Sequence, residues 1–515
     1  MIPKLKFVSV MVLTLAGVAI LAGCNDTLRQ FIITVPKPGG TPATQANAVV
    51  LSTNPTGNGS NLHIDVSGDD VAAIVSLGAN PIFLGKTGST AVVINGDGTV
   101  TSYLGLLALS TTIHTSVMPA GVTGSVAGGT SSSGNFFITN STSNNLSVFA
   151  SGIAAVDQIL TVGTGPVAVA GNAANSKMYV INQGSGDVTV ISTVDNFVFP
   201  KTIPVGSRPI WAVMSADGVD VFVVNQGDGT AANPGSISVI DTTLDIVIPC
   251  TPGPSCDPVT HAISVGNSPA TSSPNFAFYD TNRQRLYVNN TGENTISVIK
   301  ADGLNLGVNP QIVPQLLANI SVKDAAGNPH LPTSVTALSD GSKVYAALGD
   351  CPAGTNHTNL VLPDPTTGNL ASCNGSWVSV IDATALRQVR AIQVGPGAVS
   401  IDSSGDASRV YVVSAHDTTI IRDDVHAPNC TDNNCLSGSP LPDRTFTTPS
   451  VYVIRTSQDQ VFVPPTSPSI VSFPIPTFHA PTQDPNCVPA IDPNFNDDVP
   501  MPCAEQIPFM VRIIP

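Results

Sequence analysis

The residues able to do chemistry in this 515-residue chain are few and scattered. Its eight histidines form no His-x-His pair and no HExxH helix of the kind that holds a catalytic metal. No GxSxG elbow presents a nucleophilic serine, and no CxxCH motif attaches a haem. Cys430 and Cys435 stand near His426, but no second ligand pair of zinc-like spacing follows. NGDGT (95–99) and QGDGT (226–230) are Asp-Gly turns by composition and only weakly like calcium loops. DDVHAPNC (423–430) joins two carboxylates to a histidine and reads as a polar surface loop. No catalytic, cofactor or metal site is therefore expected. The informative side chains are the nine cysteines. Cys24 stands alone, and the other eight lie as neighbours: Cys250 and Cys256, Cys351 and Cys373, Cys430 and Cys435, Cys487 and Cys503.

Cys24 ends a targeting segment. Lys4 and Lys6 give a positive start, Phe7 to Ile20 an apolar run, and Leu21-Ala22-Gly23-Cys24 a small-residue end. The run is short for a membrane span. Residues 1–24 closely resemble a bacterial lipoprotein lipobox. That resemblance implies cleavage after residue 23 and acylation of Cys24. Asn25 follows in place of the aspartate that often retains such proteins at the inner membrane, which points to the outer membrane. The expected location is the cell envelope, facing the periplasm or the surface, with the membrane touched through the lipid alone. Export favours disulfides. Eight cysteines allow 105 connectivities, but each neighbouring pair brackets a loop rich in Pro, Asn or Gly. Local bridges Cys250–Cys256, Cys351–Cys373, Cys430–Cys435 and Cys487–Cys503 are expected, with a metal site at Cys430 and Cys435 as the rival.

The elements that carry these residues are short strands. Only 11% of residues are charged, against 44 Gly and 43 Pro, a balance suited to strands joined by tight turns rather than to helices. The net charge of −15, with 20 Lys and Arg, argues against a nucleic-acid partner. KMYVINQGSGDVTVIST (177–193) is a hairpin: an alternating run, a Gly-rich turn and a second run. Its form returns at 135–150, 220–241 and 285–300, with a long insertion at 343–382, compressed at 91–104, and as a first half at 409–417. A Gly-x-x-Pro signal separates the copies at 78–81, 163–166, 206–209 and 266–269. VGPGA (394–398) is a weaker form, and degraded forms stand near 119–124 and 327–332. Gly163 to Gly206 spans 43 residues, the period of a four-stranded propeller blade. Tyr179, Val221, Val223, Tyr287 and Val410 alternate onto faces that neighbouring blades must bury, and Asn140, Asn182, Asn225 and Asn289 end strands as turn residues.

YVINQGSGDVTVI and YVNNTGENTISVI resemble the YVTN-repeat, or YncE-like, β-propellers over roughly residues 60–455. The resemblance implies an all-β, seven-bladed propeller of four-stranded blades. It implies no single activity. Quinone-cofactor propellers repeat a Trp docking motif in every blade, whereas this chain has two tryptophans, Trp211 and Trp377. Closure is expected from N-terminal strands (61–78) pairing with the last blade, with SVYVIRTS (450–457) competing for the third strand position. The expected organisation is a signal peptide (1–23), a tether (24–45), the propeller (46–460) and a Pro-rich extension (461–515) packed on it. Insertions at 249–261, 350–376 and 416–449 each carry a cysteine pair. The last two follow second strands of successive blades and should share one face, as a binding rim or as plain stabilisation. The leading functional expectation is a non-enzymatic envelope module binding a protein or glycan. Alternatives are a lactonase-type enzyme with its site at the channel mouth, and a surface-layer or adhesion component.

Overall fold

The computed structural model describes residues 47–514 apart from 54–57, 67–69, 80, 88–89, 97–98, 105–106, 115–127, 131–134, 150–156, 172–175, 302–312, 350–375, 396, 415–417, 422–443, 448–449, 462–474 and 477–506. Every regular element among them is a β-strand and every strand pairing is antiparallel. Cys24, Cys351, Cys373, Cys430, Cys435, Cys487 and Cys503 lie outside the described residues, as do the expected tether and much of the Pro-rich extension.

The strands form eight sheets of four or five strands and one two-stranded hairpin, Thr418–Ile421 with Arg444–Thr447. Sheets 2 to 8 follow in chain order and begin with Pro81–Thr87, Gly128–Thr130, Pro166–Ala170, Pro209–Met214, Pro274–Asp280, Pro332–Ala337 and Ala398–Ser403. Each is a meander in which hairpin follows hairpin. Sheet 1 is assembled from both chain ends: Ile507–Ile514 pairs with Asn47–Thr53, which continues to Asn58–Asp65 and Asp70–Ala79.

Two expectations change here. The junction signals give seven blades, but they mark only the starts of sheets 2 to 8. Residues before the first junction supply three complete strands, and with Ile507–Ile514 these make an eighth sheet. The N-terminal strands also do not join the last chain-ordered sheet. There Ser450–Arg455 pairs along all six residues with Arg409–Ser414 and fills the third position. That edge is occupied, so Asn47–Thr53 takes the tail strand instead.

The first strands of consecutive sheets adjoin in order from sheet 2 to sheet 8, and Ile507–Ile514 lies beside the first strands of both sheet 8 and sheet 2. Second strands start on one side of this arrangement, the lower face, and end on the other, the upper face. Apolar side chains dominate the faces between sheets. Tyr179, Val221, Val223, Tyr287 and Val410 are fully buried, as the alternation requires. One sheet has two apolar faces and must be covered on both, so burial drives the stacking.

Candidate functional site

The first strands position the candidate site, and a recurring lock positions those strands. Asn182 ends the second strand of sheet 4, fully buried, and donates from Nδ2 to Thr189 Oγ1 at 2.9 Å. Thr189 Oγ1 also accepts from the Gly163 amide at 3.2 Å, which fixes the segment entering the first strand. Asn225 does the same with Ser238 at 3.0 Å, and Gly206 N donates to that hydroxyl at 3.2 Å. In sheet 6 the pair is Asn290 and Ser297 at 2.8 Å, with Gly266 N at 2.9 Å. Asn140 and Asn95 bond Ser147 and Thr101 likewise, at 2.8 and 3.2 Å. These asparagines are therefore buried cross-strand donors as well as turn residues, the carbonyls of Asn140, Asn182 and Asn290 accepting amides of the turns that follow, and in sheet 6 the role belongs to Asn290, not to the expected Asn289. The junction glycines follow from the same contact. A Cβ at Gly163 would stand 2.5 Å from Asn182 Nδ2, and one at Gly206 would stand 2.6 Å from Asn225 Nδ2.

The proline of the junction opens the first strand and is followed by a register shift, seen at Pro81, Pro166, Pro209, Pro274 and Pro332. Proline has no N–H for the ladder and suits a strand's first residue. In sheet 6 the chain runs on past Pro269, and Pro274 opens the strand. Sheet 1 keeps the same shift at Pro508.

Trp211 and Phe276 occupy matching positions in sheets 5 and 6, with ring centroids 5.2 Å apart. Arg512 approaches from sheet 1, its guanidinium carbon 5.8 Å from the Phe276 ring centroid. A cation over an aromatic face at that distance is attracted by the ring quadrupole. Arg512 has no carboxylate partner among the described residues. Trp211 Nε1 and Asn275 Oδ1 are buried and, among the described residues, have no hydrogen-bond partner. Beside them Ser400 Oγ accepts from Val511 N at 3.1 Å, and Asp402 Oδ2 accepts from Ile513 N at 2.9 Å. The strand bearing Arg512 is thus held by side chains of sheet 8 on its free edge. The site has two aromatic rings and a cation that meets no carboxylate among the described residues. Such a set can seat a planar or C–H-rich group carrying an anion.

Sequence reasoning missed this group. Trp211 is weighed only as one of too few tryptophans, and Arg512 sits in a stretch read as Pro-rich extension. The signal that could have found it is Ile507-Pro508-Phe509-Met510-Val511, which repeats the proline-led apolar start of the other first strands.

The other expected residues lie elsewhere. Cys250 and Cys256 form a disulfide with Cα atoms 5.7 Å apart. It staples a loop that splits the outer strand of sheet 5, so that Ile246–Val247 and Ile263–Ser264 both pair with Ser236–Asp241. Beneath it lies a small cavity of about 220 Å³ lined by the loop and by Pro314, Gln315 and Leu316. In QGDGT, Asp228 accepts from Thr230 N at 2.9 Å and from Asn233 Nδ2 at 2.7 Å. The Thr230 hydroxyl first, and then Asn233, hold its carboxyl below the usual range. Among the described residues no three His, Cys, Asp or Glu side chains gather as metal ligands. Lys343–Leu348 and Arg409–Ser414 both end on the upper face, and the two later insertions expected after them lie largely outside the described residues.

A second recurring contact ties sheet to sheet on the lower face. Lys177 Nζ meets Asp245 Oδ2 at 2.7 Å, and Tyr179 donates to Asp245 Oδ1 at 2.8 Å. Asp245 belongs to the turn of the next sheet and has φ +54°. Lys343 and Tyr345 grip Asp459 in the same way, with Lys343 Nζ 2.8 Å from both carboxylate oxygens. Burial and then the adjacent carboxylate push both tyrosine hydroxyls well above their ordinary range. In sheet 6, Arg285 reaches Ala383 O instead.

The chain matches no family model and no curated protein. Solved structures do match. The dihydro-heme d1 dehydrogenase NirN in complex with DHE superposes with a TM-score of 0.53 at 13% identity, covering 86% of this chain and 77% of that one. A hydrazine synthase of Kuenenia stuttgartiensis gives 0.32 at 16% identity, over 66% of this chain and 65% of that one. The β-propeller domain of Cps50 (Swd1) from Myceliophteria thermophila gives 0.41 at 10% identity, over 65% and 92%. The likeness to NirN, with the run of antiparallel four-stranded sheets, makes the fold of this chain that of the β-propellers.

Proposed function

We propose that this chain is a lipid-anchored envelope β-propeller, closed as a ring of eight sheets, that binds an acidic glycan on the first strands of sheets 1, 5 and 6. The unpaired Arg512 guanidinium over Phe276 carries the reading. A partly buried cation without a counter-ion favours an incoming anion, and arginine meets a carboxylate through two parallel bonds. Phe276 and Trp211 give the C–H face of a sugar ring a place to stack. The reading has no catalytic step. Ring closure is supported by the first strand of sheet 1 adjoining those of sheets 2 and 8. Anchorage is supported by the lipobox at Cys24, and the outer membrane by Asn25 after it.

The test is calorimetric titration of the chain from residue 25 with a uronic-acid oligosaccharide and with its neutral counterpart. The acidic sugar is expected to bind and the neutral one to bind far more weakly. Arg512→Ala should weaken binding about tenfold or more, as befits a charge-assisted contact, and Arg512→Lys should recover part of it. Equal binding of both sugars, or indifference to Arg512→Ala, overturns the reading.

A further inference from the structure

We infer that the lower-face turns of sheets 4 and 5 form a strip that rests on a phospholipid bilayer. Nine large apolar side chains are exposed among the described residues, and five cluster here: Val194, Phe197, Val219, Leu244 and Ile246. Val194 is 81% exposed, and Phe197 and Leu244 are each 54% exposed. The turns that carry them are tied together. Phe197 stands edge-on to Phe199 at 5.5 Å, and Lys177 Nζ lies 5.7 Å from the Phe199 ring centroid. Lys177 in turn binds Asp245, in the turn between Leu244 and Ile246. Thr242 N donates to Val219 O at 2.9 Å and brings Val219 against the same turn.

An exposed apolar strip marks a contact surface, and three features select a bilayer as the occupant. Its central cation is neutralised by Asp245, while Asp217 and Asp241 leave the surrounding turns mildly acidic, so apolar insertion rather than attraction to anionic headgroups must supply the binding. The first described residue, Asn47, pairs with Asp65 and Ile514, which places the start of its strand on this same lower face. Residues 25–46 link it to Cys24 and reach at most roughly 80 Å when extended. Sheet 1 lies across the arrangement from sheets 4 and 5, so anchor and strip together hold the lower face flat and turn the upper face outward. The inference rests on the lipid-anchor reading.

The test is hydrogen exchange on the chain from residue 25, carrying an N-terminal hexahistidine and held on phosphatidylcholine–phosphatidylethanolamine vesicles by a nickel-chelating lipid. Capture by the tag replaces acylation, so this result stands apart from the anchor reading, which the mass of the native Cys24 peptide decides. Amides in 193–199 and 242–246 should exchange several-fold more slowly on vesicles than in solution, and those in 226–235 on the upper face should not change. The triple variant Val194→Asp, Phe197→Asp, Leu244→Asp should lose the protection while keeping its melting temperature. Unchanged exchange in the strip overturns the inference. So does protection that appears in solution as protein concentration rises, which would assign the strip to a second copy.

Discussion

At the scale of single residues, two small polar devices do most of the ordering. The Asn–Ser/Thr–Gly lock explains two sequence signals at once, because the asparagine at a strand end and the glycine before the next first strand are the two sides of one contact. Asn182→Ala should cost about 1–3 kcal/mol, since it orphans part of a buried network, while Thr243→Ala on an exposed turn should cost far less; urea unfolding of both variants measures this. The Lys–Tyr–Asp grip makes a second claim. Asp459→Ala strips the acceptor from Lys343 and Tyr345 together, and a loss of about 2 kcal/mol is expected. Asp459→Asn should lose less, because it keeps an oxygen for the tyrosine. Thermal unfolding separates the two outcomes.

At the scale of elements, sheet 1 is the informative case. Its hairpins were visible as alternating apolar runs, but their partner was not, because pairing between Asn47–Thr53 and Ile507–Ile514 is the least local contact in the fold. Prolines and asparagines around the tail masked a strand whose own proline is the strand-opening kind. The other junctions were legible because each lock is made within one repeat length. The Arg512–Phe276 approach was not, since nothing local relates the two positions. His63, in the middle of sheet 1, gives a pH prediction. Burial lowers its pKa to about 4 from the ordinary 6.5, so the folded state keeps it neutral. Its contribution is complete above about pH 6.5 and is lost as pH falls toward 4, reaching about 3 kcal/mol. A His63→Leu variant should unfold with a flatter pH dependence in that window; an identical slope would refute this role.

At the scale of the whole molecule, seven visible junctions and eight sheets are consistent once one sheet is shared between distant segments. A prediction follows for a chain ending at residue 506. It lacks the strand whose amides Ser400 and Asp402 accept, and it leaves a bare edge along Asn47–Thr53. Its melting transition should fall and broaden, and hydrogen exchange should speed up in sheets 1 and 8 before sheets 4 and 5. The disulfide at Cys250–Cys256 closes a short loop on one outer strand, so its reduction should loosen residues 249–262 with little effect on the rest.

The composite sheet also sets a clock. A polypeptide emerging from a ribosome or a secretion channel can stack its middle sheets early, yet its first hairpins must wait for residues 507–514 to appear. Until then it carries an open edge of unsatisfied amides and carbonyls. A chain stopped before residues 507–514 keeps that edge bare and open to proteases.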